Sequence, residues 1–281
     1  MTSFGKICTL KVMYAAVDIG GTKTLIAVFT PDGELRQTIK FPTPIEYTEF
    51  IAELSANVAK LSTSDFQAVG VAVPGVINHH EGTLIAAGNL NWHNSPVQVD
   101  LERIFHAPVH VENDAKTAAV AEARAAGPTF ETVVYITFST GIGVGVCVSG
   151  NLDHTLLDSE PGNMRVENNN EMVPWESIAS GKAIVAKFGK RASELDDPEA
   201  WRHIAHNMAK GLLAIIAIVQ PDLIVVGGGV GSHFDKFETP LLSELKKYEN
   251  PLAPTPPIRM ARHPEEAVIY GCYELAKEIS N

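Results

Sequence analysis

Strands that alternate with helices, and hairpins whose turns are rich in glycine, predict an α/β protein with mixed sheets. Two observations carry that expectation. A strand, glycine-turn, strand unit at residues 14–29 recurs at residues 133–148, over a hundred residues later, as a duplicated domain would place it. The length of 281 residues also favours two domains over one.

In chain order, residues 14–18 read as a buried strand, Gly20, Gly21 and Thr22 as a tight turn, and residues 25–29 as the returning strand, with Asp32 and Gly33 turning the chain again. Phe50, Leu54, Val58 and Leu61 fall at helical spacing before a strand at 68–73, which Pro74 and Gly75 end. Val109 and Val111 alternate toward Asn113 and Asp114. The alanine-rich run 115–126 then reads as a helix that stops at Gly127 and Pro128, so Asp114 stands where a strand hands over to a helix.

The second half repeats the grammar, with strands at 133–138 and 144–148 around the glycine turn 139–143, and a further turn at Gly150 and Asn151. Ile204, Met208, Leu212, Ile215 and Val219 mark a long apolar helix closed by Pro221, ahead of a strand at 223–226 and its exit at 227–231. After a proline-rich connection, Pro264, Glu265 and Glu266 open a last helix with Val268, Cys272, Leu275 and Ile279 on one stripe.

Composition excludes several functions. The chain has 22 Lys and Arg against 33 Asp and Glu, a formal charge of −11, and no basic block, so it lacks the footprint of a nucleic-acid binder. Cys8, Cys147 and Cys272 are odd in number and far apart, which fits neither a disulfide framework nor a zinc site and points to a reducing cytoplasm. Residues 1–14 carry Lys6 and Lys11 but no apolar run of signal-peptide length, and Met13 reads as the effective first residue of the fold. No segment approaches the roughly 20 apolar residues of a membrane span. His79, His80, His93, His106, His110 and His154 lack metal spacing and read as surface or loop residues, while Trp175 and Trp201 read as packing.

Glycines in a hairpin turn let the backbone approach a ligand, and successive N–H groups there form a concavity suited to a polyphosphate. A plain hairpin would also explain the glycines. It would not explain Asp18 at the strand end two residues before Gly20, placed to hold magnesium through water, since that ion prefers carboxylate and phosphate oxygens and keeps several waters. Three such turns, at Gly20, Gly141 and Gly228, would bind the parts of a nucleotide if they met in one cleft. Other nucleotide motifs fail: Lys23 follows Thr22 instead of preceding it as in a Walker loop, and residues 227–231 lack the dinucleotide spacing.

Six motifs then occur in a telling order: Asp18-Ile19-Gly20-Gly21-Thr22-Lys23, Val73-Pro74-Gly75-Val76, Asn89-Leu90-Asn91-Trp92, Glu112-Asn113-Asp114-Ala115, Ser139-Thr140-Gly141-Ile142-Gly143 and Val226-Gly227-Gly228-Gly229-Val230. In order and approximate spacing the chain resembles the ROK family (repressor, open reading frame, kinase) from about Tyr14 to the last helix. The resemblance implies a two-domain actin/hexokinase-like ATPase fold with ribonuclease H-like lobes, ATP and magnesium as cofactors, and phosphorylation of a hexose or N-acetylhexosamine. Asp18, Gly20, Gly21, Thr22, Lys23, Thr140, Gly141, Gly228 and Gly229 become the nucleotide residues.

Carried over residue by residue, Asp114 matches the family's general base and Asn113 a sugar-hydroxyl ligand. A sugar hydroxyl must lose its proton as it attacks phosphorus, and a carboxylate within hydrogen-bond reach can take it. Asp114 could otherwise be the N-cap of the following helix; the other motifs favour the base. Gly75 and Asn89 resemble sugar-pocket residues, Glu160 with Pro161 and Gly162 resembles the Glu-x-Gly element that binds sugar hydroxyls, and Glu176 with Ser180 and Gly181 matches the segment that follows.

The chain departs from the pattern at Asn163, where most members carry a His that binds both sugar and a structural zinc. It also has no Cys between Cys147 and Cys272, and Trp175 stands near the expected cysteines. No zinc is therefore expected. Asn163 can still donate to and accept from a hydroxyl, or be a turn residue beside Asn168, Asn169 and Asn170.

The expected lobes are a small one over residues 1–114, joined by the C-terminal helix 264–281, and a larger one over 115–263. The resemblance favours a cytoplasmic homodimer whose partner is a small sugar, with no nucleic acid and no membrane. Two rival readings stand beside the kinase. A sugar-responsive regulator of this family would need an N-terminal helix-turn-helix of several dozen residues, and about 13 precede Tyr14. A catalytically lapsed sugar or nucleotide binder is motivated by the missing His and cysteines, and countered by Asp18 and Asp114.

Overall fold

The computed structural model describes residues 13–88, 90–264 and 266–280. Lys6, Cys8, Lys11, Asn89 and Glu265 therefore lie outside the described residues. The chain forms two compact units, one running up to Asn113 and resuming at Cys272, the other Asp114–Gly271.

In the first unit, β1 (Met13–Ile19), β2 (Lys23–Phe29) and β3 (Leu35–Pro42) form a meander, followed by α1 (Tyr47–Val58) and β4 (Phe66–Val73). Three short strands, β5 (Val76–Asn78), β6 (Thr83–Ala86) and β7 (His93–Ser95), make a separate antiparallel sheet, and α2 (Val97–Phe105) leads to β8 (Val109–Asn113). The main sheet has the order β3-β2-β1-β4-β8, with β1 antiparallel to β2 and parallel to β4. Its central strands are buried on both faces, so β1 and β4 read as near-continuous apolar runs. Phe50 and Leu54, the helical pair expected from the sequence, bury α1 against Val17, Val69 and Val71.

The second unit starts with α3 (Asp114–Ala126) and continues through β9 (Thr132–Phe138), β10 (Ile142–Val148) and β11 (Asn151–Leu152). A hairpin of β12 (Arg165–Asn168) and β13 (Glu171–Pro174) follows, then α4 (Glu176–Ala179), α5 (Gly181–Phe188) and α6 (Pro198–Val219). The chain ends with β14 (Leu223–Gly227), α7 (Gly228–Gly231), α8 (Phe234–Lys246), β15 (Ile258–Met260) and α9 (Ala267–Glu278). Here the sheet order is β11-β10-β9-β14-β15, with β9 antiparallel to β10 and parallel to β14. The two five-stranded sheets correspond strand for strand, which is the duplication the two glycine turns announced.

Three details differ from the sequence reading. The last helix begins at Ala267 rather than Pro264, and the unit boundary falls inside it. The glycine exit at 228–231 is a short helix, α7, not an open turn. The β12–β13 hairpin was not anticipated, although Asn169 and Asn170 have φ of 54° and 64°, the paired left-handed geometry of a two-residue hairpin turn. No helix among the described residues is long and apolar enough to cross a membrane.

Candidate active site

The β1–β2 turn closes through the Gly20 N–H, which donates to Lys23 O at 2.9 Å. Two threonines that the sequence reading passed over brace it. Thr43 Oγ1 donates to Gly20 O at 2.7 Å, so the 2.9 Å contact with Thr24 Oγ1 is one in which Thr24 donates. The Thr43 N–H adds a bond to Thr22 O at 3.1 Å, and both threonine side chains are buried. The loop is thus held from behind while Thr22 and Lys23 are exposed. Asp18, half-buried near the end of β1, lies between Leu25 of β2 and Ala72 of β4. Behind it the Cys272 thiol is pushed well above its ordinary pKa by burial and then by the Asp18 charge, which makes it an inert packing group.

Gly75 has φ of 120°, and a Cβ there would collide with the Ala86 carbonyl oxygen, so only glycine fits. Its carbonyl accepts from Asn113 Nδ2 at 3.1 Å, which fixes the Asn113 side chain. Glu112, buried beside it, accepts the Asn113 N–H at 2.6 Å and faces His79 Nδ1 at 3.7 Å. His110 lies within β8 with its Nε2 buried and unpartnered, and burial, then His79, lowers its pKa. His110, in a strand, is therefore not the surface or loop residue expected from its spacing, whereas His79 is an exposed turn residue as expected.

Asp114 opens the second unit as the first residue of α3. Its Oδ1 accepts the Ala115 N–H at 2.8 Å, one residue short of the second or third helical N–H that an N-cap engages. Burial pushes the carboxyl above the usual carboxylate range; the Ala115 N–H and the Lys116 ammonium oppose this, and Glu160 reinforces it. Lys116 is itself buried, with Nζ donating to Ser159 O at 2.8 Å and lying 3.4 Å from Glu160 Oε1. Asn163 ends a single turn of 3₁₀ helix, Pro161–Asn163, with its side chain exposed.

The β9–β10 turn is tied to the start of α5, because the Gly181 N–H donates to Ser139 O at 2.7 Å and the Lys182 N–H to Thr140 O at 3.4 Å. Gly228 has φ of 82°, and a Cβ on it would collide with Thr137 Oγ1 and stand 2.7 Å from Phe138 O. Its N–H donates to Pro264 O at 3.0 Å, and that loop is held in turn by buried Glu122, which accepts the N–H groups of Arg262 at 2.8 Å and His263 at 3.0 Å.

These segments surround a cavity of about 1030 Å³, lined among others by Thr140, Gly181, Lys182, Arg191, Gly229 and His233. A smaller one of about 250 Å³ shares Thr140 and Lys182 and adds Gly141 and Glu176. Thr140 and Gly229, far apart in sequence, are thereby brought to one wall; Gly228 supports that wall from behind and Glu176 sits with the Thr140–Gly141 turn. Lys182, Ser193, Arg191 and His233 carried no motif signal. The mixture of backbone N–H groups, hydroxyls, basic side chains and the apolar Val185 and Ala186 suits a nucleoside triphosphate.

Trp175 fills the core where the family resemblance led us to expect cysteines. It is fully buried, donates from Nε1 to Asn207 O at 2.9 Å, meets Phe138 edge to face and rests against Gly211. Trp201, 2% exposed, is packing as well. No group of three His, Cys, Asp or Glu that could hold a metal occurs among the described residues.

Paired, repeated mixed sheets flanked by helices, with glycine turns at the strand ends, define a hexokinase-like ATPase fold. A model of the ROK family matches residues 14–279, and the chain belongs to that family. It is 26% identical to a glucokinase of Streptomyces coelicolor, across 93% of this chain and 96% of that protein. It is 28% identical to an N-acetyl-D-glucosamine kinase of Salmonella paratyphi B, across 92% and 97% respectively. Among solved structures, a ROK family glucokinase from Streptomyces griseus in complex with glucose and AMPPNP aligns with a TM-score of 0.81 at 26% identity, covering 95% of this chain and 99% of that one.

Proposed function

We propose that this chain is an ATP-dependent sugar kinase that transfers the γ-phosphoryl group of ATP to a hydroxyl of a hexose or N-acetylhexosamine, with Asp114 as general base. The observation that carries this reading is the half-buried Asp114 carboxylate, its pKa raised by desolvation, set at a strand-to-helix step beside an anchored Asn113, in a family whose aligned relatives are named glucokinase and N-acetyl-D-glucosamine kinase. Ionised Asp114 accepts the proton of the attacking hydroxyl, and its burial strengthens that bond.

Gly75, Asn89, Asn113, Glu160, Asn163 and Glu176 bind the sugar in this proposal. Gly20, Gly21, Thr22, Lys23, Thr140, Gly141, Gly228 and Gly229 are the ATP residues of this proposal, acting through backbone N–H groups and hydroxyls. Asp18 would hold magnesium through water, and the ion, bound with the nucleotide, would offset phosphate charge. The protein acts in the cytoplasm as a homodimer, each chain having a small N-terminal lobe, 1–114 with the C-terminal helix, and a larger lobe, 115–263. It holds no structural zinc, and a stoichiometric, tightly bound equivalent in the purified protein would overturn that part.

A coupled ADP-release assay with MgATP over hexoses and N-acetylhexosamines tests the proposal. At least one sugar should give saturable turnover. Silence across the panel from protein that still binds ATP would replace the kinase with the lapsed sugar or nucleotide binder.

A further inference from the structure

Resting on the sugar-kinase reading, we infer that Lys116 is a positioning residue of the sugar site: its ammonium fastens the Ser159–Glu160 segment to α3, the helix that begins with Asp114, and so sets the Glu160 carboxylate. Lys116 is 3% exposed. Burying an ammonium is costly unless it is paired and hydrogen-bonded, and a Met or Leu of similar length would fill the same space without that cost. What the charge gains is specific: a 2.8 Å bond to Ser159 O and a 3.4 Å contact with Glu160 Oε1.

The two partners differ in exposure. The Lys116 side chain is 4% exposed and that of Glu160 47%, so one end of the pair is locked in the protein while the carboxylate still meets solvent. An ion pair exposed at one end contributes little to stability, and a stability role alone does not account for it. Beyond Lys116, the segment is held by its own turns: the Ser159 N–H reaches Leu156 O at 3.0 Å and the Asn163 N–H reaches Glu160 O at 3.0 Å. Gly162 abuts β10, where a Cβ would stand 2.5 Å from Ile142 O. None of these contacts orients the Glu160 side chain; among the described residues Lys116 does.

Kinetics of Lys116→Met, Glu160→Gln and the double variant, on the sugar the wild type turns over best, test the assignment. Each single change should raise the KM for sugar about tenfold, as expected for losing one charge-assisted contact, with the KM for ATP within about twofold. Because both remove the same interaction, the double variant should be no worse than the worse single. An unchanged sugar KM in Lys116→Met, additive losses in the double variant, or equal losses for sugar and ATP would overturn it. If Lys116→Met does not fold, the cycle is run with Lys116→Arg, where coupling to Glu160→Gln above about twofold supports the assignment and additivity refutes it. A wild type silent on every sugar overturns the kinase reading first, and this inference with it.

Discussion

Replacing Asp114 with Asn separates catalysis from folding. Asn keeps the shape of the side chain and can still accept the Ala115 N–H, so the first turn of α3 is preserved while the proton acceptor is lost. A positioned general base contributes ~10²–10⁴-fold, which corresponds to ~3–5 kcal/mol of barrier. Turnover should fall by that factor with the KM for ATP almost unmoved. Burial adds a second effect of opposite sign. It raises the Asp114 pKa above the ordinary Asp value despite the Ala115 N–H and Lys116, so the folded chain binds this proton more tightly than the unfolded chain. Stability then falls as pH rises from the unfolded to the folded value, and at neutral pH the ionised carboxylate is a net burden on the fold. Asp114→Asn removes the burden, and Tm at neutral pH should hold or rise while turnover collapses. The same shift places the acid limb of wild-type kcat/KM above the ordinary Asp range. ADP-release kinetics and a thermal melt on one preparation read both effects. Turnover within about tenfold of wild type would refute the base, and lost turnover with a markedly lowered Tm would show that Asp114 is scaffolding.

Three further substitutions probe the supports. Gly228→Ala forces a Cβ into Thr137 Oγ1 at φ of 82°, a strain of roughly 1–3 kcal/mol; the KM for ATP should rise severalfold, and an unchanged value would remove the turn from the nucleotide site. Gly145→Ala sets a Cβ against Ala119 and 3.0 Å from Ala115 O, overpacking worth roughly 1–3 kcal/mol that displaces α3; kcat and Tm should both drop, and an intact kcat would show that base placement does not depend on this contact. Thr43→Val deletes the donor to Gly20 O without changing shape, at a cost of about 1–3 kcal/mol; a raised KM for ATP is expected, and no change would mean that the β1–β2 loop holds without its brace.

What could be read from the sequence was local. The β1–β2 and β9–β10 hairpins declared themselves because apolar strands flank glycine turns, and the family motifs mark those turns and the Asn113–Asp114 step. Residues that act at a distance were invisible. Thr43 reaches the loop only because β3 pairs back on β2, and nothing near Gly20 in the sequence announces it. Arg191 and His233 come to one cavity from segments without periodicity. Lys116 carries no motif signal within its alanine run, and it is buried because α3 is covered from Ala115 to Ala123. The β12–β13 hairpin was missed because four-residue, half-polar strands carry almost no pattern; the paired asparagines were its only signal.

The alanines of α3 also carry more than helix propensity. Gly143 and Gly145 of β10 lie against Ala115 and Ala119, and a Cβ at Gly143 would stand 2.6 Å from that of Ala115. Small residues on both sides bring backbone close to backbone, a contact that defines the height of Asp114 more tightly than large side chains with several rotamers would. A helix seated this deeply could not carry Asp114, Lys116 and Glu122 as packing alone. Each serves a different part of the site. Asp114 stands at the first turn, Lys116 holds the Ser159–Glu160 segment, and Glu122 holds the Arg262–His263 amides, whose loop accepts the Gly228 N–H through Pro264. In the proposed kinase, base, sugar loop and glycine turn are referred to one rigid element, so a displacement of α3 should degrade sugar and nucleotide steps together, whereas loss of Lys116 alone should degrade the sugar step only.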